Sequence, residues 1–369
     1  MTQQTDSTPD AQDRLTPVET DVVVIGAGPV GLFQVFQLGL QGLACEVIDA
    51  LAVPGGQCAE LYADKPIYDI PALPVCTGTE LVERLWRQIA PFHAGFHFGQ
   101  QVEALTACPD GRFELLSSGG RAFVARAVVI AAGVGAFVPR RLRLPGLDEL
   151  PAGRVSYAAP EPAAELAGEP AEPESDRPCV LVHGGDDRAL EWACAAAAQG
   201  EPVALLYRRD SYPASAPWVD RIRAWAASGH VRLLVGQPSA VRALAGGIEL
   251  DYTDASGAAQ CVAARRLHVS LGLSPRLGPV AEWGLAMANK QLVVDTARFE
   301  TALPGIHAVG DINTYPGKLK LIVCGFHEAT LAAHAVAQRL SPQVPPAPLE
   351  YTTSSRRLQQ RLGVATQAG

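Results

Sequence analysis

Residues 21–31 read DVVVIGAGPVG. Asp21–Ile25 is a short β-branched run of the kind that a strand buried on both faces needs. GAGPVG (Gly26–Gly31) follows at once, then the apolar, helix-compatible LFQVFQLGLQG, then a second strand, LACEVID, ending on Asp49. GxGxxG alone is weak. Set between a strand and a helix, with an acid closing the next strand, it is a dinucleotide-binding fingerprint. Gly26 permits the tight turn, Gly28 lets backbone approach a pyrophosphate, and Gly31 lets helix and strand pack closely. The free N–H groups and positive dipole of the helix start suit phosphates. Asp49 is placed to accept hydrogen bonds from an adenosine ribose. A βαβ unit with no ligand would need all four features to coincide by accident.

The pattern recurs. PCVLVHGGDDRALEWACAAAAQGEPVALLYRR (Pro178–Arg209) is again strand, glycine-rich turn, Ala-rich helix and strand, so the chain contains an internal duplication. Between the two, RAFVARAVVIAAG (Arg121–Gly133) reads as two short strands ending in a small-residue turn. Ala158–Pro178, with five prolines and six acids, reads as a linker or surface loop. LHVSLGLSPRLGP (Leu267–Pro279) closes the second domain. Then come strands at QLVVD and GIHAVGDI (Gly305–Ile312), a helix over FHEATLAAHAVAQRL, a proline-rich hinge (Ser341–Pro348) and the tail LEYTTSSRRLQQRLGVATQAG. The expected fold is α/β, with two Rossmann-like, three-layer dinucleotide-binding domains, the second inserted into the first.

Composition narrows the function. Of 369 residues, 30 are basic and 38 acidic, a net charge of −8. This leaves no basic footprint for nucleic acid. Apolar residues at 48% exclude a disordered chain. No apolar run approaches the roughly 18–20 residues of a membrane span. The polar, acid-bearing start, MTQQTDSTPDAQDRLTP, lacks a signal-peptide core, so a cytoplasmic location is expected. The eight cysteines are Cys45, Cys58, Cys76, Cys108, Cys179, Cys194, Cys261 and Cys324. No pair has CxxC spacing, which excludes dithiol exchange and a zinc-type cluster; no residue is assigned to a metal.

The order of fingerprint, GGQ segment, second nucleotide motif and Gly-Asp resembles the two-domain flavoprotein fold of thioredoxin reductases. Within that fold, VPGGQCAELYADKPIYDIP, AAGVGAFVPRRLRLPG, GDINTYPGKLKLIVCGFHEA and EYTTSSRRLQQRLGV look like the thioredoxin-reductase-like ferredoxin/flavodoxin–NADP reductases. The likeness is strong over residues 20–147 and 267–365 and weaker between. The polar residues 1–19 read as a disordered tail, and the likeness implies an FAD-binding domain at 20–145 and 271–340, an NADP(H)-type domain at 146–270, and a lid over the flavin at 341–369. It implies FAD contacts from Gly26, Gly28, Gly31, Asp49, Gly56, Gln57, Val102, Phe137 and Asp311, with Tyr62, Tyr351 and Thr352 facing the flavin. It further implies a homodimer that passes electrons between NADPH and ferredoxin or flavodoxin. Hydride chemistry belongs to flavin and nicotinamide, so no acid–base catalyst is named.

The second motif breaks the pattern. One register places Gly184, Asp186 and Ala189 at the three key positions; the other uses His183, Gly185 and Arg188. In the first, an aspartate stands where backbone must approach a pyrophosphate. Two unit charges ~4 Å apart at an effective dielectric of ~20 repel by about 4 kcal/mol. Arg188 could offset this by contacting the phosphate. Arg208 and Arg209, after Tyr207, stand where the family carries its 2′-phosphate signature, and their planar forks suit phosphate. The alternative is a solvated arginine pair at the edge of the sheet. Three functions stay open: an NADPH-dependent ferredoxin or flavodoxin reductase, an FAD oxidoreductase that has lost NADP(H), and a non-catalytic flavin-bound regulator.

Overall fold

The structure, a computed structural model, describes residues 16–157, 180–342 and 348–364. Most of the expected tail, the proline- and acid-rich linker, Cys179 and parts of the hinge and C-terminus lie outside these residues. The chain divides into two compact units, Met1–Ala136 with Pro275–Gly369, and Phe137–Ser274. The second takes in residues 137–145 because Leu142 is buried in its core and Leu144 packs against that core.

In the first unit, β1 (Val18–Ile25) leads through Gly26–Gly28 into α1 (Pro29–Gln41) and then β2 (Cys45–Ile48). α2 (Gln57–Tyr62), α3 (Gly78–Ile89) and β3 (Gly95–His97) follow, and then the meander β4 (Val102–Ala107), β5 (Phe113–Ser117) and β6 (Ala122–Ile130). Val22, Val23 and Val24 have no exposed surface, as a strand covered on both faces requires. α1 ends on Gly42, whose φ of 76° terminates the helix in the left-handed conformation.

The stretch read as two strands is the single strand β6. Its whole length runs parallel to β1, from Phe123 opposite Val18 to Ile130 opposite Ile25. On its other edge the first half pairs antiparallel with β5, and a different partner takes the second half. A change of neighbour partway along one strand therefore mimicked a strand break.

The second unit contains β7 (Val155–Ser156), β8 (Val180–Gly184), α4 (Asp187–Ala198), β9 (Val203–Tyr207) and α5 (Ala216–Ala227). It continues through the long β10 (Val231–Leu244), β11 (Gly247–Asp254), β12 (Ala259–Ala264) and β13 (Arg266–Ser270). Strand order is β7-β13-β8-β9-β10-β11-β12. β7 to β10 are parallel, and the hairpin β11-β12 continues antiparallel from the far half of β10. Alternation along β8 sorts the core into layers. Val180 and Val182 pack with Leu190, Ala193 and Ile222 of the helices, whereas Leu181 packs with Leu250 and Val262 of the hairpin.

The chain then returns to the first unit. β14 (Ile306–Ala308) pairs with β6, giving the order β3-β2-β1-β6 with β14 and the β5-β4 hairpin sharing the edge of β6. α6 (Ile322–Leu340) packs on α1, and the short α7 (Arg356–Arg361) ends the described chain.

Steric demands fix both turns. Gly26 has φ 108°, and a Cβ there would lie 2.5 Å from the Ala131 carbonyl oxygen; a Cβ on Gly31 would overlap the Gly26 carbonyl. In the second unit a Cβ on Gly184 would overlap the Ser270 carbonyl, and Ala189 fills the third position with no exposed surface. The register with Gly184, Asp186 and Ala189 is therefore the one that folds, and Arg188 does not hold a key turn position. Gly31→Ala is expected to force α1 off β1 at a cost of about 2–3 kcal/mol, seen as a lower midpoint in chemical denaturation. An unchanged midpoint would contradict the close packing of that turn.

Candidate functional site

Three segments of the first unit meet at the start of α1. Gly28 is the N-cap residue, with φ −68° and ψ 177°; no side chain caps the helix, and its first turn carries no acid. A Cβ on Gly28 would approach nothing closer than Gly56 Cα at 3.9 Å, so internal packing does not demand glycine there. What glycine preserves is open space over unpaired helix N–H groups. The GGQ segment is held against this turn by Gly55, whose N–H donates to the Ala27 carbonyl (2.9 Å), and Gly56 adopts φ 52° beside Gly28. Gln57 then donates from Nε2 to Asp311 Oδ2 (3.2 Å), joining two motifs 254 residues apart.

Asp49 follows β2 and turns back to the fingerprint. Its carboxylate accepts from the Ala27 N–H at 2.5 Å and the Leu51 N–H at 2.7 Å. Burial pushes its pKa up against the pull of these two bonds. The Asp49 backbone bonds His97 and Gln100 (both 3.0 Å), bringing the segment before β4 alongside it. Val102, at the start of β4, is a buried core residue. Tyr62 ends α2 half-buried; its hydroxyl accepts from Cys58 Sγ (3.6 Å), and burial raises its pKa. Phe137 is half-buried and belongs to the second unit.

Sequence reasoning missed the group that holds Asp311 in place. Glu328, on α6, has no exposed surface. It accepts from the Gly310 N–H (2.6 Å), Asn313 Nδ2 (2.8 Å), the Tyr315 hydroxyl (2.9 Å) and Lys318 Nζ (2.5 Å). Lys318 also donates to the Gly310 carbonyl (2.9 Å), so both sides of the Gly-Asp turn are tied to one buried ion pair. Burial and the Glu328 bond push the Tyr315 phenol up to about 12. The sequence signal was present, an acid inside the alanine-rich run of α6 after a lysine in GKLK, but neither residue belongs to a nucleotide motif. α6, like α1, begins without a side-chain cap or a first-turn acid, and its Gly325 lies so close to Val30 of α1 that a Cβ there would overlap that side chain.

The C-terminal pair belongs to the first unit and joins none of these hydrogen bonds among the described residues. Tyr351 is 62% exposed and stacks on no aromatic ring among the described residues. Thr352 is exposed, and its carbonyl accepts from Gln359 of α7. α7 itself docks through Arg361, whose Nη1 donates to the Leu40 carbonyl (2.5 Å). Leu40 is near the C-terminal end of α1, the end opposite Gly28.

In the second unit Asp186 is the N-cap of α4; its Oδ1 accepts from the Ala189 N–H (2.9 Å) and from Ser270 Oγ (3.1 Å). Asp187 accepts from the Ser215 N–H (2.6 Å) and so ties the start of α4 to that of α5. Gly185 is required by Tyr207, whose ring would lie 2.7 Å from a Cβ there. Arg188 is exposed on the first turn of α4. Arg208 and Arg209 are exposed; the Arg208 guanidinium lies 5.9 Å from the Tyr207 ring centre.

A glycine turn leading from a parallel strand into a helix, built twice, defines a two-dinucleotide flavoprotein-type fold. The chain belongs to the pyridine nucleotide-disulphide oxidoreductase family, whose model matches residues 20–338. A ferredoxin–NADP reductase from Leptothrix cholodnii is 62% identical over 349 residues, 94% of this chain and 92% of that protein. Another, from Acidovorax sp. (strain JS42), is 53% identical over 352 residues, covering 95% and 97%. Among solved structures, the thioredoxin reductase of T. acidophilum matches with a TM-score of 0.55 at 19% identity, covering 87% of this chain and 99% of that one; this likeness concerns the fold.

Glu328→Gln would leave the Lys318 ammonium buried without its counter-charge and turn an amide N–H₂ toward other donors. Breaking a buried pair by removing one partner costs about 3–5 kcal/mol. A loss of that order in urea denaturation is expected, and a loss below about 1 kcal/mol would mean the pair behaves as an exposed one.

Proposed function

We propose that this chain is an FAD-dependent ferredoxin–NADP reductase, passing electrons between NADPH and a ferredoxin. The observation that carries the proposal is the uncapped, unobstructed start of α1 at Gly28, with Gln57 and Asp311 joined beside it. FAD fits this cradle: Gly28 leaves room for a diphosphate and Asp49 suits an adenosine ribose. Gln57, Asp311 and Tyr62 are the side chains for the flavin end, and Gly56 and Val102 contribute backbone. When bound, flavin and nicotinamide supply the hydride and single-electron chemistry. The protein's part is to bind, orient and exclude water; the uncapped starts of α1 and α6 give it positive dipole ends for anionic groups.

NADP(H) is assigned to the second turn. Arg208 and Arg209 form no hydrogen bond or ion pair with any other described residue, which leaves both guanidinium groups free for a 2′-phosphate. Tyr207 stands where the first unit has Asp49, so the position that would repel that phosphate carries no acid. The close-packed Gly184 and Ala189 keep the turn's shape. One observation, the Asp186 cap, favours a second reading, in which the enzyme draws electrons from a donor other than NADPH.

Flavodoxin as an alternative carrier, a homodimer, a cytoplasmic location and a C-terminal segment that covers the flavin with Tyr351 and Thr352 complete the proposal. Support for these comes from the motif resemblance.

The purified protein should be yellow with FAD, and Gly28→Val should yield folded apoprotein. Anaerobic NADPH should bleach the flavin absorbance more effectively than NADH, and oxidised ferredoxin should restore it. A colourless wild-type protein that takes up no FAD would overturn the proposal. Flavin that NADPH leaves oxidised but another donor reduces would select the second reading. The dimer is checked by light scattering, which should give twice the 38.9 kDa chain mass.

A further inference from the structure

The strand registers align the two turns position by position. β1 pairs β2 from Val22–Cys45 to Ile25–Ile48, and β8 pairs β9 from Val180–Val203 to His183–Leu206. Gly184 thus answers to Gly26, Asp186 to Gly28 and Tyr207 to Asp49. On the other side, Ile25 opposes Ile130 and His183 opposes Val269, so Ser270 answers to Ala131. Asp186, at φ −82° and ψ 174°, has nearly the backbone conformation of Gly28.

The side chain of Asp186 therefore projects where the first unit keeps its space open. Its Oδ1 accepts from the Ala189 N–H, one of the donors that a diphosphate at this helix start would use. The change is paired. Where the first unit has the methyl group of Ala131, the second has the Ser270 hydroxyl, and that hydroxyl donates to the same Asp186 oxygen. A decayed site would show loss of the steric positions as well, yet Gly184 and Ala189 still meet them.

We propose that Asp186, latched by Ser270, is a built-in competitor for the nucleotide diphosphate, so that NADP(H) enters the second turn only when this carboxylate swings out. The proposal rests on the reading that this turn receives NADP(H). The carboxylate supplies the negative charge that the helix start favours, and an entering diphosphate must displace it and then tolerate it nearby. Rotation about the Asp186 side-chain bonds is enough to clear the N–H groups, because the backbone already has the conformation that Gly28 adopts.

The test titrates FAD-loaded protein with NADP⁺, which leaves the flavin oxidised, and follows binding by calorimetry. Asp186→Gly should tighten binding by about tenfold to a thousandfold, the range set by how far solvent screens the repulsion. Asp186→Asn, which keeps a neutral N-cap, should fall between the two. Ser270→Ala should tighten binding by about twofold to tenfold. Without nucleotide, Asp186→Gly should melt at a lower temperature than wild type, since it loses the cap, and NADP⁺ should raise its melting temperature more than that of wild type. If the wild type binds NADP⁺ and neither Asp186 variant binds more tightly, the proposal is overturned while the reductase reading stands. If no variant binds NADP⁺, although each is folded with full FAD content, both the proposal and the NADP(H) reading fail.

Discussion

Four N–H groups at the start of an α-helix have no partner within the helix, and most helices satisfy some of them with a side chain. This protein does so at α3, where Thr77 and Glu80 form a reciprocal capping box, and at α7 with Ser355. It does not do so at α1. Much of the first unit follows from leaving that helix start bare. Glycine at 28 keeps the space clear, Gly31 and Gly26 bring helix and strands close enough to aim the N–H groups, and Gly56 lets a second backbone segment approach. A missing cap forgoes about 1 kcal/mol, which the packing of α1 between the buried strands and α6 readily offsets, and a bound anion would recover it.

The second constraint is a buried charge. Glu328 and Lys318 sit out of water, an expensive arrangement unless every donor and acceptor is matched. Here Glu328 meets four donors on the Gly310–Lys318 turn. The pair fixes a loop otherwise free to vary, and through Asp311 and Gln57 it connects the last third of the chain to the GGQ segment. Such a network is all-or-none: fully matched it specifies one conformation, and with one partner removed it leaves a stranded charge.

The two units share a register and differ at three facing positions. Glycine becomes aspartate at 186, the ribose-type acid becomes Tyr207, and alanine becomes Ser270. In the first unit Asp49 bonds the Ala27 N–H; in the second the Tyr207 ring covers the equivalent Gly185. One strand register thus carries an open, acid-flanked turn in one unit and a self-capped, aromatic-flanked turn with two free arginines in the other.

The sequence alone determined the fold class, the duplication, the glycine turn at Gly26 and Gly31 and the place of Asp49 at the end of the second strand, because these rest on local rules: β-branched runs bury, glycine occupies turns that a Cβ would block, and an acid closes the second strand. It could not separate the two registers of the second motif, since both offer a glycine in the right neighbourhood. Tertiary structure decided that through the Ser270 carbonyl, which excludes a side chain at Gly184. Likewise RAFVARAVVIAAG was legible as strand but not as one strand, because its continuity depends on β1 along its whole length. Glu328, the partnership of Gln57 with Asp311, and the capping role of Asp186 with Ser270 were invisible for one reason. Each is a contact between residues distant in sequence, and a residue's chemistry becomes a site only when the fold fixes what it faces.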